Sequence, residues 1–68
     1  MYILKEDEAK EISKKFRNQY LAETIGVSKQ YISYIFHRKK HISKKLAYAF
    51  TKAVDNNSEI LDLFEDVR

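Results

Sequence analysis

The chain has 68 residues, a formal net charge of +3 and no cysteine. A chain this short leads us to expect one domain over residues 1–68, and the lack of cysteine excludes disulfides and thiolate metal ligands. No apolar run is long enough for a membrane span or a signal peptide, which favours a cytoplasmic location.

The composition favours helix, because proline is absent and glycine occurs once, at Gly26. Apolar residues recur at helical spacing along most of the chain. No segment alternates apolar and polar residues for long enough to predict a strand. We therefore predict an all-α fold, a compact bundle of five short helices.

The first two helices are predicted over Glu6–Lys15 and Asn18–Ile25, after a short apolar arm at residues 2–4. In the first helix the apolar residues at helical spacing are Ala9, Ile12 and Phe16. In the second, the predicted buried residues are Leu21, Ala22 and Ile25. Gly26 should end the second helix, since glycine readily takes the left-handed conformation found at helix C-termini.

Serine caps are predicted for the next two helices, because a serine oxygen can accept a hydrogen bond from a free N–H of the first turn. Ser28 begins a helix over residues 29–37 with Ile32, Ile35 and Phe36 inward, and a basic loop follows. Ser43 begins the fourth helix, whose predicted apolar stripe is Leu46, Ala49, Phe50, Ala53 and Val54. Asn57 or Ser58 caps the fifth, whose predicted buried face is Ile60, Leu61, Phe64 and Val67.

Charge is distributed unevenly along the chain. Residues 14–52 contain ten basic residues and a single acid, Glu23, for a net charge of +9. Residues 1–13 have a net charge of −2 and residues 53–68 of −4. A basic middle between acidic ends indicates a surface for nucleic acid, although a solvated lysine-rich face would leave the same pattern.

The second and third helices with the turn between them have the pattern of a helix-turn-helix, over about residues 18–37. Ala22 is small where the two helices must approach closely, and Gly26 allows the sharp turn. The third helix then leaves a polar outer face. Lysine can donate to guanine, glutamine can pair with adenine, and serine can contact either base. The residues on this face are Lys29, Gln30, Ser33, Tyr34 and His37, and such side chains, followed by a basic loop, are typical of a recognition helix in the major groove.

Ala22, the run Gly26-Val27-Ser28, and Ile32-Ser33 with Ile35 resemble the lambda-repressor-like (Cro-like, XRE-type) helix-turn-helix family. The resemblance covers nearly the whole chain and implies a fold of five short helices bound to double-stranded DNA. It implies a transcriptional regulator, a phage or prophage repressor or a Cro-like protein. The base-reading residues that it implies are Lys29, Gln30, Ser33 and Tyr34. The phosphate contacts that it implies are Asn18, Gln19, Ser28, Arg38, Lys39 and Lys40.

Two departures from the family pattern bear on these contacts. The family usually begins its second helix with glutamine, whereas here Asn18 holds that place and Gln19 follows it, so either one is the candidate for the phosphate contact. Many relatives have a glycine in the loop after the third helix. Here that loop is Phe36-His-Arg-Lys-Lys, with an extra positive charge and no glycine.

A regulator of this type is expected to bind a palindromic operator as a homodimer. Leu63 lies off the line of the other apolar residues of the fifth helix, and an apolar surplus often marks a partner surface. The predicted dimer interface is Ile60, Leu63, Phe64 and Val67.

Other classes of function are less favoured. The main alternative is a protein-interaction module of the same fold, antirepressor-like or antitoxin-like. RNA binding is weaker, because RNA readers mostly use sheets, loops and stacking platforms. His37 and His41 are four residues apart, but no cysteine or nearby carboxylate joins them, so we predict no metal site. We also expect no enzymatic activity, cofactor or small-molecule ligand.

Overall fold

The computed structural model describes residues 1–67, and over them the chain forms five helices and one two-stranded sheet. The helices are α1 (Glu6–Lys15), α2 (Asn18–Ile25), α3 (Lys29–Phe36), α4 (Lys44–Val54) and α5 (Ile60–Leu63). The strands are β1 (Tyr2–Leu4) and β2 (Phe64–Asp66). The prediction of a mostly helical fold is confirmed, whereas the prediction that no strand forms is wrong. In this part of the chain, no helix combines the length and the apolar character needed to cross a membrane.

The sheet joins the two ends of the described chain. β1 and β2 are antiparallel, with Tyr2 opposite Asp66 and Leu4 opposite Phe64. Tyr2 also exchanges two backbone hydrogen bonds of 2.8 Å with Ile42, which ties β1 to the segment before α4. The apolar arm predicted at residues 2–4 is therefore a strand with three residues, too short to show an alternating pattern.

Local signals set the limits of α1 to α4. α1 has acids in its first turn and lysines in its last, which complements the helix dipole. The Ser28 hydroxyl oxygen accepts a hydrogen bond from the Tyr31 N–H at 3.0 Å, and Ser43 does the same for Leu46 at 3.3 Å. Gly26 ends α2 with a φ of +89°, a left-handed conformation that glycine adopts without a steric penalty.

The core is built from both ends of the chain and from all five helices. Phe50 lies at its centre, edge-on to Phe64 at 5.6 Å and to Phe36 at 5.9 Å between ring centroids. The buried apolar residues are Leu4, Ala9, Ile12, Leu21, Ala22, Ile32, Ile35, Ile42, Ala47, Phe50, Leu63 and Phe64.

α4 turns a slightly different face to the core than its apolar stripe predicts. Ala47, Phe50 and Thr51 are buried, whereas Leu46, Ala49, Ala53 and Val54 are half-buried. The buried Thr51 hydroxyl donates to the Ala47 carbonyl oxygen at 2.8 Å, so a polar side chain fits the core with its hydrogen bond made.

The turn between α4 and α5 is closed by polar contacts. The Asp55 carboxylate accepts hydrogen bonds from the Asn57 N–H at 3.0 Å and the Ser58 hydroxyl at 2.9 Å. These two bonds, the backbone one first, hold the pKa of Asp55 below its ordinary value, because they favour the charged carboxylate. The Lys52 ammonium donates to the carbonyl oxygens of Asn56 and Ser58, which closes the turn from the other side.

α5 is shorter than predicted, and its cap is Glu59 rather than Asn57 or Ser58. The Glu59 N–H donates to the Asp62 carboxylate at 2.8 Å. After Leu63 the chain becomes extended, so Phe64 belongs to β2 and faces the core from a strand.

The change from helix to strand corrects two predictions for this segment, its buried face and its dimer interface. Leu61, predicted to be buried, is 61% exposed, whereas Leu63 is only 4% exposed. Leu63 and Phe64 therefore cannot form a dimer interface, because both side chains already pack in the core of one chain. Ile60 and Val67, the other two residues of the predicted interface, are half-buried.

Candidate nucleic-acid interface

α2 and α3 pack against each other across a short turn. Leu21 and Ala22 on α2 lie in the same core cluster as Ile32 and Ile35 on α3. The left-handed Gly26 allows the chain to reverse direction between the helices, and Ser28 then caps α3. The inner side of α3 is thus fixed by packing, which leaves its opposite side free of core contacts.

The outer face of α3 carries the four predicted base-reading residues. Lys29 and Gln30 are exposed, and Ser33 and Tyr34 are half-buried. The Gln30 Nε2 donates a hydrogen bond to the Tyr34 hydroxyl oxygen at 2.8 Å. The bond therefore joins two side chains that lie one helical turn apart on this face.

The other polar pair on this face is Ser33 with His37. The His37 Nδ1–H donates to the Ser33 carbonyl oxygen at 2.8 Å, and the Ser33 hydroxyl lies 3.3 Å from the same nitrogen. This pair is separate from the bond between Gln30 and Tyr34. Within residues 1–67, no three His, Asp or Glu side chains come together as potential metal ligands.

Lys40 extends this face beyond the end of α3. Its ammonium lies 5.6 Å from the Tyr31 ring centroid and 5.9 Å from the Tyr34 ring centroid. Both distances suit a cation–π contact. The basic loop therefore folds back along α3. The sequence did not indicate that Tyr31 would contact this loop, because an aromatic residue on a helix usually packs in the core.

The lysines around this face have no carboxylate partners. In the part of the chain that the structure describes, the ion pairs are the N-terminal ammonium with Asp66 and Arg38 with Glu65. Glu23, the one acid of the central segment, accepts instead from the Gln19 amide at 3.3 Å. The exposed lysines on α3 and in the loop after it are Lys29, Lys39 and Lys40, and their charge attracts anions without local compensation.

A cleft beside this face collects polar side chains from three helices. Asn18 at the start of α2 lines it together with Ser33 on α3, His37 just after α3, and Lys10 and Ser13 on α1. Of the two candidates for the phosphate contact at α2, Asn18 faces this cleft, whereas the Gln19 side chain is bonded to Glu23. The sequence did not indicate that Lys10 and Ser13 line this cleft, although their spacing of three residues puts them on one side of α1.

Arg38 does not share the free surface of Lys39 and Lys40. Its Nε donates to the Leu4 carbonyl oxygen in β1 at 3.0 Å, and its Nη2 lies 3.6 Å from the Glu65 carboxylate in β2. Its φ of +58° is unusual for a residue other than glycine. The guanidinium thus holds the loop against the sheet, which argues against its predicted role as a phosphate contact.

Replacing Arg38 separates the clamp from the backbone strain. We expect Arg38→Ala to lower the free energy of unfolding by about 1–2 kcal/mol, because it loses a charged hydrogen bond to a carbonyl. Arg38→Gly loses the same bond but relieves the left-handed strain, so it should be more stable than the alanine variant by about 1 kcal/mol. Urea denaturation of both variants checks this, and equal stabilities would contradict the strain at Arg38.

Comparison with protein-family models, with curated proteins and with solved structures finds no match to this chain. The assignment of a function therefore depends on the geometry and charge of this surface.

Proposed function

We propose that this chain binds double-stranded DNA in a sequence-specific way by inserting α3 into the major groove. In this proposal α2, the turn at Gly26 and α3 act as a helix-turn-helix. The observation that carries it is the outer face of α3, where polar side chains free of core contacts are flanked by lysines without partner carboxylates. The major groove is wide enough to admit one α-helix, and its base edges offer the donors and acceptors that such side chains recognise.

The residues divide by role according to their chemistry. Lys29, Gln30 and Ser33 contact base edges directly, and Tyr34 contributes through its hydrogen bond with Gln30. Lys39 and Lys40 attract phosphates. Further phosphate contacts come from the starts of the two helices, from Ser28 at α3 and from Asn18 or Gln19 at α2. Arg38 acts only indirectly, by holding the loop that carries the two lysines.

The biological role that we propose is transcriptional regulation, of the repressor or Cro-like type. Two copies would bind a palindromic site, with half-sites about 34 Å apart so that both α3 helices meet the same face of the duplex. The surface between the copies would exclude Leu63 and Phe64, which are buried. On α5, the exposed Leu61 and the half-buried Ile60 remain accessible to a second copy.

Selection from a pool of random DNA duplexes tests this proposal. We expect one palindromic consensus, bound at least about 1,000-fold more tightly than a scrambled duplex at the same salt concentration. Gln30→Ala should weaken binding to the consensus by roughly 1–3 kcal/mol and leave binding to the scrambled duplex unchanged.

A pool without enrichment would contradict the proposal and favour the protein-interaction module instead. In that case the exposed large apolar side chains become the positions to substitute in a search for the partner surface: Met1, Tyr20, Tyr48 and Leu61.

A further inference from the structure

The amide of Gln30 is already oriented in the free protein. Gln30 and Tyr34 are four residues apart on α3, and the Gln30 Nε2 lies 2.8 Å from the Tyr34 hydroxyl oxygen. An exposed glutamine otherwise samples many rotamers, and fixing it on binding costs conformational entropy. The bond to Tyr34 removes part of that cost before DNA is met.

Tyr34 is itself held in place. It is half-buried, and the Lys40 ammonium lies 5.9 Å from its ring centroid while also facing Tyr31. Ser33 and His37 bond to each other, so neither is engaged with the Gln30 amide. The phenol oxygen is thus an acceptor for one of the two amide hydrogens of Gln30.

The hydrogen bond to Tyr34 determines which donor and acceptor of the Gln30 amide remain available to a base. A glutamine amide has two N–H donors and one carbonyl acceptor. With one N–H given to Tyr34, the remaining pair is one donor beside one acceptor. Adenine presents the complementary pair in the major groove, the N7 acceptor and the N6 amino donor, whereas guanine presents two acceptors, N7 and O6. A carbonyl oxygen facing guanine O6 would meet another acceptor, so guanine is disfavoured.

We propose that Tyr34 is a positioning residue that holds the Gln30 amide in the orientation that selects adenine, at one base pair of each half-site. This inference rests on the proposed function and adds the identity of the base and the residue that enforces it. Tyr34 acts through Gln30, so its hydroxyl should affect the choice of base rather than the general affinity for DNA.

Base preference in Tyr34→Phe tests the inference. This substitution removes the hydroxyl and keeps the ring that faces Lys40. In the wild-type chain we expect adenine at one position of the selected half-site. In Tyr34→Phe, discrimination between adenine and guanine there should fall by about fivefold to tenfold, the equivalent of one lost hydrogen bond. Preferences at the other positions, and affinity for a scrambled duplex, should stay the same.

The controls separate a positioning role from a structural one. Tyr48→Phe is the matched control, because it removes the hydroxyl of an exposed tyrosine on α4 and should leave every base preference unchanged. In a chain that already carries Gln30→Ala, adding Tyr34→Phe should have no further effect on the adenine preference, since the two residues act as one unit. Thermal unfolding of each variant confirms that it is folded.

Three results would overturn the inference. A wild-type preference for guanine at the position controlled by Gln30 would mean that the amide faces the base differently. A uniform loss of affinity in Tyr34→Phe would make Tyr34 a general contact, and an unchanged adenine preference would make its hydroxyl irrelevant. Failure of the proposed function is distinct from these, because in that case no duplex is enriched by the wild-type chain at all.

Discussion

Phe64→Ala should leave most molecules unfolded or the fold barely stable. Phe64 is fully buried and packs edge-on against Phe50, which in turn contacts Phe36. Truncating a buried phenylalanine costs about 3–5 kcal/mol. At typical values per residue, a chain of this size has a total stability of roughly 3–10 kcal/mol. The loss is therefore comparable with the whole free energy of unfolding, and urea denaturation followed by circular dichroism measures it.

Leu61→Ala is the control for this prediction. Leu61 lies three residues before Phe64, but its side chain is 61% exposed, so its truncation should change stability by no more than about 0.5 kcal/mol. A loss at Leu61 as large as the loss at Phe64 would mean that the end of the chain continues α5 with its original apolar face inward. The pair thus tests whether β2, rather than a longer helix, closes the core.

Replacing both Lys39 and Lys40 with alanine should weaken DNA binding by about one to two orders of magnitude near 0.1 M salt. Each lysine that neutralises a phosphate releases about one counterion, so the plot of log affinity against log salt should become shallower by about two units. The loss of the phosphate contacts should weaken binding to the selected and the scrambled duplex equally, because phosphates carry no sequence information. Any additional loss on the selected duplex should come from Lys40 alone, since its ammonium faces the Tyr34 ring. Fluorescence anisotropy between 50 and 200 mM salt, the range over which such contacts show their effect, checks both expectations.

Two single substitutions make this result specific to the loop. Lys15→Ala removes a charge from α1, where Lys15 lines a cleft with Glu8, Glu11 and Asp55, and it should leave the salt dependence unchanged. Arg38→Ala should lower stability without flattening the salt dependence, since its guanidinium is bound to the sheet. If Lys15 altered the slope as much as Lys39 or Lys40, the attraction would come from net charge and not from contacts of the loop.

The sequence by itself determined the helices whose signals are local. α1 and α2 have the predicted bounds, and α3 and α4 begin after the predicted serine caps. These limits depend on residues within a few positions of each helix end, such as Gly26 and Ser28, and on apolar spacing over several turns. The outward face of α3 followed from the same periodicity, because Ile32 and Ile35 pack inward, whereas the choice of four base-reading residues on that face came from the family resemblance.

The tertiary structure alone decided the pairing of the chain ends and the role of Arg38. β1 and β2 have three residues each and are stabilised by one another, so neither segment contains enough pattern to predict a strand. Once β2 forms, the helical periodicity stops at Leu63, so Leu63 is buried in the core and Leu61 is exposed. Arg38 looks like a third charge of the basic loop until the sheet brings the Leu4 carbonyl and Glu65 beside it. A hydrogen bond between residues 34 positions apart has no signature in the local sequence, because its partners meet only when the chain has folded.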